Sequence, residues 1–306
     1  HYPQLDNVTL SGESHKLWQE LGFHDKDWRD FLKLLMDFYV REYRFLNLTQ
    51  EQVDSVNTRF FARLELMKPN SEPDFSVVDG KRVRPWLQVN NQNPNRSQRL
   101  IKLLTLPKNL DLSDNIIKDK VNTLLVEAFH TLTNTTLFRK GKRGEIDTYQ
   151  LDFDNVSLTI PHQVYVCPVT QRFLDTTLQG YTPYLPSKQN LITLQSHKSD
   201  YLCQTVTIPV FQHDSRQAGN STTQAKAWLA ENTSIQSLRA ENLWTDISDA
   251  VIAGMRTIVT EEHSAQIEPE TLQTYEAQFK QGKVNILNCS TTMDCLLYTS
   301  LMARGR

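Results

Sequence analysis

Hydrophobic residues near the amino terminus recur at three- and four-residue intervals, the spacing of one face of an α-helix. One such stripe comprises Trp28, Phe31, Leu32, Leu35, Phe38 and Tyr39. A second stripe comprises Ile117, Val121, Leu124, Leu125, Ala128 and Leu132. Each predicts a long helix, with Asp25 or Asp27 capping the first and Ser113 capping the second. We therefore predict a helical region of unknown role over residues 1–140, interrupted by a loop-rich stretch at 68–95.

The pattern changes after residue 138, where apolar and polar residues begin to alternate as in β-strands. The strand-like positions are Tyr149, Leu151, Phe153, Val156, Leu158 and Ile160, followed by residues 164–166 and 205–210. The basic run at 139–144 is predicted to be a turn. This run, like the cluster Lys81, Arg82 and Arg84, could follow a phosphate backbone, although charged loops are more often simply solvated. We predict a small antiparallel β unit over residues 141–215.

The last third of the chain combines two strand-like runs with a helix between them. The runs are residues 256–260 and 284–289, and helical periodicity covers residues 269–281. Pro269 near the first turn of this helix and Gly282 at its end are typical helix boundaries. A strand, a helix and a strand in this order predict a βαβ unit, whose strands are parallel.

Ligands of open parallel sheets bind at the edge formed by the carboxyl ends of the strands. Two predicted loops begin at this edge. His263 and Ser264 lie in the first loop, where they could contact a phosphate or nucleic-acid backbone, or merely cap the next segment. The second loop contains the hydroxyls of Ser290, Thr291 and Thr292, which suit a phosphate or an ordinary helix N-cap.

Composition and charge narrow the class of protein. The chain has 306 residues, of which 39 % are hydrophobic and 22 % charged, as in globular proteins. The net charge of −2 excludes a generally basic nucleic-acid coat but allows local basic patches. No apolar run approaches the length of a membrane span, so we expect no membrane partner. Four cysteines without C-x-x-C spacing indicate a reducing compartment, and we predict a cytoplasmic location.

Few residues of the sequence are candidates for catalysis or metal binding. Cys167 and Cys203 could join His162 or His197 at a zinc ion, but their unpaired spacing favours buried small hydrophobic residues. Cys289 is also interpreted as a packing residue. The sequence contains no GxxxxGK(S/T), GxGxxG, HExxH or GxSxG motif. We therefore assign no catalytic, cofactor-binding or metal-ligating residue within this chain.

Three segments of the last third together carry a family pattern. They are Thr-Glu-Glu-His-Ser-Ala-Gln at 260–266, Tyr-Glu-Ala-Gln-Phe-Lys-Gln-Gly at 275–282 and Asn-Ile-Leu-Asn-Cys-Ser-Thr-Thr-Met at 285–293. In this order they resemble the second RecA-like domain of superfamily 2 DEAD/DEAH (DExH)-box helicases, of the large type related to Lhr and YprA. In that family the second strand runs into motif V, a Ser/Thr-rich loop. Residues 149–186 and 238–244 are similar to regions that precede this domain.

The resemblance implies a fold and a function for residues 216–294. They would be the first half of an incomplete parallel α/β RecA-like helicase C-terminal domain, in a fragment of an ATP-dependent nucleic-acid helicase. His263 and Ser264 would contact the nucleic-acid backbone. Ser290 would take the place of the phosphate-contacting hydroxyl of motif V. Thr291 and Thr292 would support that loop.

The resemblance also implies cofactors and partners. The parent enzyme would use ATP and Mg²⁺, and would act on single-stranded or duplex nucleic acid, with DNA favoured over RNA. Its phosphate loop, DExH box and motif VI arginines do not occur in this chain, nor do the Gly and Asp of motif V. We therefore expect this chain alone to bind no cofactor, to be inactive, and to need the remainder of the helicase chain as its partner.

Two further interpretations concern the end of the chain and the alternative function. Residues 295–306 are interpreted as a translated sequencing adapter and not as native sequence, because Cys-Leu-Leu-Tyr-Thr-Ser is what a transposase end sequence encodes. The alternative to a helicase is a non-enzymatic nucleic-acid-binding or adaptor module. In that module the β region and the basic turns would do the binding.

Overall fold

The computed structural model describes most of the chain, in nine stretches. They are residues 1–43, 65–66, 77–78, 81–143, 146–159, 161–212, 221–254, 259–263 and 267–289. The chain divides into two compact units, His1–Val210 and Phe211–Arg306, and each is described by itself. The protein is of mixed α and β class, as the sequence predicts.

Helices and short strands alternate in the first unit. The described helices are α1 (Gly12–Glu20), α2 (Asp25–Tyr43), α3 (Arg99–Thr105), α4 (Asn115–Thr133) and α5 (Leu191–Ser196). The described strands are β1 (Glu65–Leu66), β2 (Val77–Val78), β3 (Lys81–Arg84), β4 (Phe138–Arg143), β5 (Ile146–Leu151), β6 (Gln163–Val166), β7 (Phe173–Leu174) and β8 (Gln204–Thr207). One sheet has the order β2-β3-β1-β5-β4, and a second, antiparallel throughout, has the order β7-β6-β8.

Helix α2 confirms the first predicted helix, and its predicted stripe is buried except for the half-buried Phe38. Asp27 closes the first turn, because its carboxylate accepts a hydrogen bond from the backbone N–H of His24 at 2.8 Å. Helix α4 confirms the second, but Ser113 is not its cap. The carboxylate of Asp114 accepts from the N–H of Ile116 at 2.8 Å and takes that role.

Aromatic side chains build the amino-terminal part of the core. Trp18 is fully buried and stacks on Phe23, with 4.4 Å between ring centroids. Trp28 meets Trp18 edge-on at 5.1 Å. The indole N–H of Trp18 is not left unsatisfied, because it donates to the carbonyl oxygen of His24 at 2.9 Å. Burial of each such side chain stabilises the fold by about 1.5–3 kcal/mol.

The same core continues from the helices into the large sheet. Trp86 stacks on Tyr39 of α2 at 4.8 Å and meets Phe129 of α4 edge-on at 5.4 Å. Phe129 in turn meets Tyr149 of β5 edge-on at 5.5 Å. The helical region and the start of the β region therefore share one hydrophobic core. The boundary that the sequence predicts after residue 140 falls inside β4.

Residues 139–143 of the predicted basic turn form strand β4, so this part of the turn prediction is wrong. The strand pairs with β5 along its whole length, and carboxylates on β5 and just beyond it lie against two of its cations. Lys140 pairs with Asp147 at 2.8 Å, and Arg139 pairs with Asp152 at 3.1 Å.

Two other expectations for the first unit need correction. Residues 156–158 form no strand, because β5 ends at Leu151 and a 3₁₀ turn follows at Phe153–Asn155. The predicted loop-rich stretch at 68–95 contains β2, β3 and the start of a 3₁₀ turn, although part of it lies outside the described residues. Ile160 and Gly144 also lie outside them.

The second unit begins with three short helices and continues as a βαβ unit. Its described elements are α6 (Ser221–Glu231), α7 (Thr233–Ala240), α8 (Asp246–Ile252), β9 (Thr260–His263), α9 (Pro269–Lys280) and β10 (Ile286–Cys289). Asp249 joins α7 to α8, since its carboxylate accepts from Arg239 at 2.7 Å and from the indole of Trp244 at 2.6 Å. Strands β9 and β10 are parallel, which confirms the predicted topology.

Candidate nucleic-acid interface

The two parallel strands of the second unit end at the same level. Thr260 lies opposite Ile286, and the register continues to His263 opposite Cys289. The next residue after each strand is a serine, Ser264 in one case and Ser290 in the other. The last described residues before the two serines, His263 and Cys289, are therefore neighbours in the sheet. This pairing of strand ends is the edge at which open parallel sheets bind ligands.

The first of the two strands ends at His263, later than the sequence predicts. Glu261, Glu262 and His263 belong to β9 and not to a loop. The first predicted strand, residues 256–260, overlaps β9 only at Thr260, and residues 255–258 lie outside the described part of the chain.

The predicted site side chains are not among those that the structure describes. His263 is described only as a backbone position at the end of β9. Ser264 and the loop residues Ser290, Thr291 and Thr292 lie outside the described residues altogether. The side chain of Cys289 is also outside, so its predicted packing role stays a prediction.

Asn285 fixes the register of the two strands from one side. Its side-chain oxygen accepts a hydrogen bond from the backbone N–H of Val259 at 2.9 Å. Its own backbone N–H donates to the carbonyl oxygen of Val259 at 2.8 Å. Asn285 therefore binds both the backbone N–H and the backbone carbonyl oxygen of Val259. This role was not predicted, and its only signal in the sequence is an asparagine directly before an apolar strand.

The end of α9 directs the chain into β10. Gly282 has φ of 73°, a left-handed conformation that favours glycine. Its N–H donates to the carbonyl oxygen of Phe279 at 3.0 Å, and the N–H of Lys283 donates to that of Gln278 at 2.9 Å. These two bonds form a Schellman motif, as the position of Gly282 at the helix end suggests.

The charged side chains that the structure describes at this edge are acidic. Glu261 is half-buried and Glu262 is exposed, and both lie within the last three residues of β9. Lys280 and Lys283 are exposed near the opposite ends of the strands, where α9 leads into β10. A polyanion bound at the carboxyl edge would therefore rely on backbone N–H groups and hydroxyls more than on lysine or arginine.

A lysine-centred cluster in the first unit was not predicted. The ammonium of Lys33 lies 2.8 Å from a carboxylate oxygen of Asp37 and 2.9 Å from one of Asp175. Burial alone would lower the pKa of Lys33, but the two carboxylates outweigh burial and raise it. Asp175 shows the reverse balance, because Lys33 outweighs burial and lowers the pKa of its carboxyl group. Asp175 is remote in sequence, so no local pattern could reveal the cluster.

A small cavity adjoins this cluster. Its volume is about 190 Å³. Arg99 is part of its lining, and the guanidinium lies over the rings of Phe38 at 5.0 Å and Tyr184 at 5.6 Å. Asp37 and Asp175 also contribute to the lining, so the cavity carries charges of both signs.

Lys102 is a second buried lysine, and it serves a structural purpose. Its ammonium donates to the carbonyl oxygens of Ser187 at 2.9 Å and Gln189 at 2.7 Å. Burial lowers the pKa of Lys102. These bonds attach the segment before α5 to helix α3.

The predicted zinc alternative lacks a full set of ligands. Within the described residues, no three or more His, Cys, Asp or Glu side chains come together as a metal site. Cys167 is buried and Cys203 is half-buried, and both are free thiols.

The sequence matches no protein-family model, and no curated protein or solved structure matches it. In the described part of the chain, no helix combines the length and the apolar composition that crossing a membrane requires.

Proposed function

We propose that the second unit contributes nucleic-acid backbone contacts to an ATP-dependent helicase or translocase. The observation that carries this proposal is the common end of β9 and β10, at His263 and Cys289. In a RecA-like motor domain the loops after neighbouring parallel strands form the ligand-binding edge. Ser264 and Ser290 follow the two strand ends directly, so their backbone N–H groups and hydroxyls would reach the same phosphates.

The same proposal includes the fold of the domain to which the βαβ unit belongs. The βαβ unit would be the start of a RecA-like domain whose further parallel strands pair beside β9 and β10. Apolar side chains support this reading, because Phe279 of α9 and Ile286 of β10 are exposed to 45 % and 43 %. A larger α/β domain would cover such side chains.

ATP and Mg²⁺ would be bound by the parent enzyme, through a phosphate loop, a DExH box and motif VI arginines. Sequencing the gene outward in both directions from its source DNA is the direct test. GxxxxGK(S/T) and DExH upstream, and a QxxGRxGR-like segment downstream, are expected. Their absence contradicts the helicase assignment. The chain by itself is expected to show no DNA-stimulated ATP hydrolysis.

Single-stranded DNA binding tests the site. Fluorescence anisotropy of a labelled oligonucleotide is expected to show binding that weakens with salt, but with a shallow slope, because few cations are involved. Ser290→Ala and His263→Ala are each expected to weaken binding roughly tenfold, the value of one hydrogen bond to a charged group. Ser237→Ala, on α7, is the control and is expected to leave affinity unchanged.

The alternative is a binding module centred on the basic strand β4. Arg139, Lys140 and Lys142 are exposed there, which favours it. Two of these three are already paired with carboxylates, which disfavours it. Loss of DNA binding in Lys142→Met, with Ser290→Ala unchanged, would decide for this alternative and against the helicase edge.

A further inference from the structure

Cys167 directly follows β6, and Cys203 directly precedes its antiparallel partner β8. The register ends with Val166 opposite Gln204, and continuing it by one residue brings Cys167 opposite Cys203. The two thiols are close enough for Cys167 to raise the pKa of Cys203. The N–H of Ile208 donates to the carbonyl oxygen of His162 at 2.8 Å, which marks 162 and 208 as a hydrogen-bonded pair. Because such pairs alternate, positions 167 and 203 form a non-hydrogen-bonded pair.

The backbone bonds of the two cysteines agree with this assignment. The N–H of Cys167 donates to the carbonyl oxygen of Arg172 at 2.9 Å, and the N–H of Cys203 donates to that of Gly180 at 2.8 Å. Neither amide is directed at the opposite cysteine. In non-hydrogen-bonded antiparallel pairs the Cα atoms are about 4.5 Å apart, within the range that a disulfide spans.

A shared threonine shows that both sulfur atoms are on the same side of the pair. The hydroxyl of Thr182 lies 2.9 Å from the sulfur of Cys167. The same hydroxyl forms a hydrogen bond with the Cys203 side chain. The N–H of Thr170 also donates to the Cys167 sulfur, at 3.3 Å.

We propose that Cys167 and Cys203 form a dithiol site that closes into a cross-strand disulfide by exchange with a small-molecule disulfide, such as oxidised glutathione. The half-buried Cys203 is the attacking residue, and the fully buried Cys167 is the resolving residue. This site is independent of the nucleic-acid edge proposed above.

The exchange proceeds in two balanced steps. The Cys203 thiolate attacks one sulfur of oxidised glutathione, and the other leaves as a glutathione thiolate. The Cys167 thiolate then attacks the Cys203 sulfur and expels the second glutathione thiolate. The two cysteine protons pass through solvent to the two glutathione thiolates. The two cysteines are thereby oxidised to one disulfide, and one glutathione disulfide is reduced to two thiols.

The surroundings set the rate of this exchange. Burial raises the pKa of the Cys203 thiol to about 12, the nearby Cys167 adds to the rise, and the Thr182 hydrogen bond opposes it. Little thiolate is therefore present at neutral pH. We expect slow exchange whose rate increases about tenfold per pH unit below that pKa, whereas an exposed thiol levels off near pH 8.5.

The test uses the full chain with Cys289→Ser and Cys295→Ser, which leaves only the two facing cysteines. The reduced protein is incubated with oxidised glutathione, unfolded, alkylated and analysed by intact mass and peptide mapping. We expect the loss of two hydrogen atoms, the loss of both alkylation sites and a Cys167–Cys203 linked peptide. A stable mixed disulfide at Cys203, or two thiols that remain alkylatable, overturns the proposal.

Two further variants separate chemistry from folding. Cys167→Ala is expected to stop at the mixed disulfide on Cys203, with near-ultraviolet circular dichroism confirming that the protein is folded. Thr182→Val keeps the side-chain shape and is expected to slow closure several-fold at neutral pH, because the hydrogen bond that favours thiolate is lost. An unchanged closure rate in Thr182→Val contradicts the role given to this hydroxyl.

Discussion

The two units of the molecule bury their apolar side chains to different extents. The largest fully buried side chains of the described residues all belong to the first unit, among them Trp18, Trp28 and Phe129. In the second unit Ile247 and Val251 of α8 are exposed to 71 % and 58 %. The first unit therefore has an extensive core, whereas the described residues of the second unit bury far fewer apolar side chains.

The largest expected difference between the two units is the loss of unfolding free energy when a buried aromatic side chain is removed. Trp18→Ala deletes a fully buried ring that contacts Phe23 and Trp28, and is expected to cost about 3–5 kcal/mol of the first unit's unfolding free energy. Phe279→Ala, in the second unit, removes a half-exposed ring and is expected to cost less than about 1 kcal/mol. Hydrogen exchange, read separately for peptides of each unit, measures both. Equal losses would contradict the difference in packing.

The lysine cluster gives the first unit a stability that depends on pH. Lys33→Met leaves Asp37 and Asp175 without their cation and is expected to cost about 1–3 kcal/mol at pH 7.

The sign follows from linkage. The pKa of Lys33 is raised in the folded protein. The stability that this shift contributes is fully present below the unfolded-state pKa of about 10.4, and it is lost as the pH rises through the folded-state pKa. The pKa of Asp175 is lowered in the folded protein, so its stability contribution is present above the unfolded-state pKa of about 3.9 and is lost as the pH falls through the folded-state pKa. Urea unfolding of the wild type and Lys33→Met should therefore converge at both extremes. A constant difference from pH 3 to 11 would argue against the ion pairs.

Each unit has a glycine directly after a helix, and alanine substitutions at the two glycines can be compared. Gly22 after α1 and Gly282 after α9 have φ of 85° and 73°. Alanine at either position is expected to cost about 1–2 kcal/mol of left-handed strain. Gly22→Ala should cost more, because its new Cβ would lie 3.3 Å from the Lys108 side chain, whereas nothing lies within 4 Å at Gly282. Denaturant midpoints of the two variants measure the order, and the reverse order would contradict it.

The smallest expected effect concerns the strand register. Asn285→Ala removes the side-chain acceptor for the N–H of Val259 and is expected to cost about 1 kcal/mol. Asn285→Asp retains an acceptor at the same place and serves as the control. Faster hydrogen exchange at Val259 and along β9 in the alanine variant alone is expected. Equal exchange in both variants would show that Asn285 does not hold the register.

Local patterns predicted the long helices and the parallel βαβ topology, because a stripe such as that of α2 is encoded in neighbouring residues. Strand β4 was missed because its basic residues suggested a turn, and the carboxylates of Asp147 and Asp152 that pair with two of them come close only in the fold. The Lys33 cluster was missed for the same reason. Cys167 and Cys203 were considered only as zinc ligands, because their place on neighbouring strands also depends on the fold. At the candidate site, the pattern gave the end of β10 at Cys289 but ended the first strand at Thr260 instead of His263. It also did not give the role of Asn285, whose hydrogen bonds depend on the fold.

Photo-crosslinking tests the central claim most directly, because it reports which unit contacts nucleic acid. A single-stranded oligonucleotide containing 4-thiothymidine is bound to the full chain at low salt, irradiated, and the linked peptides are identified by mass spectrometry. We predict crosslinks within residues 260–264 and 286–292, at the common end of β9 and β10. Crosslinks confined to the first unit, particularly to β4, would contradict the account.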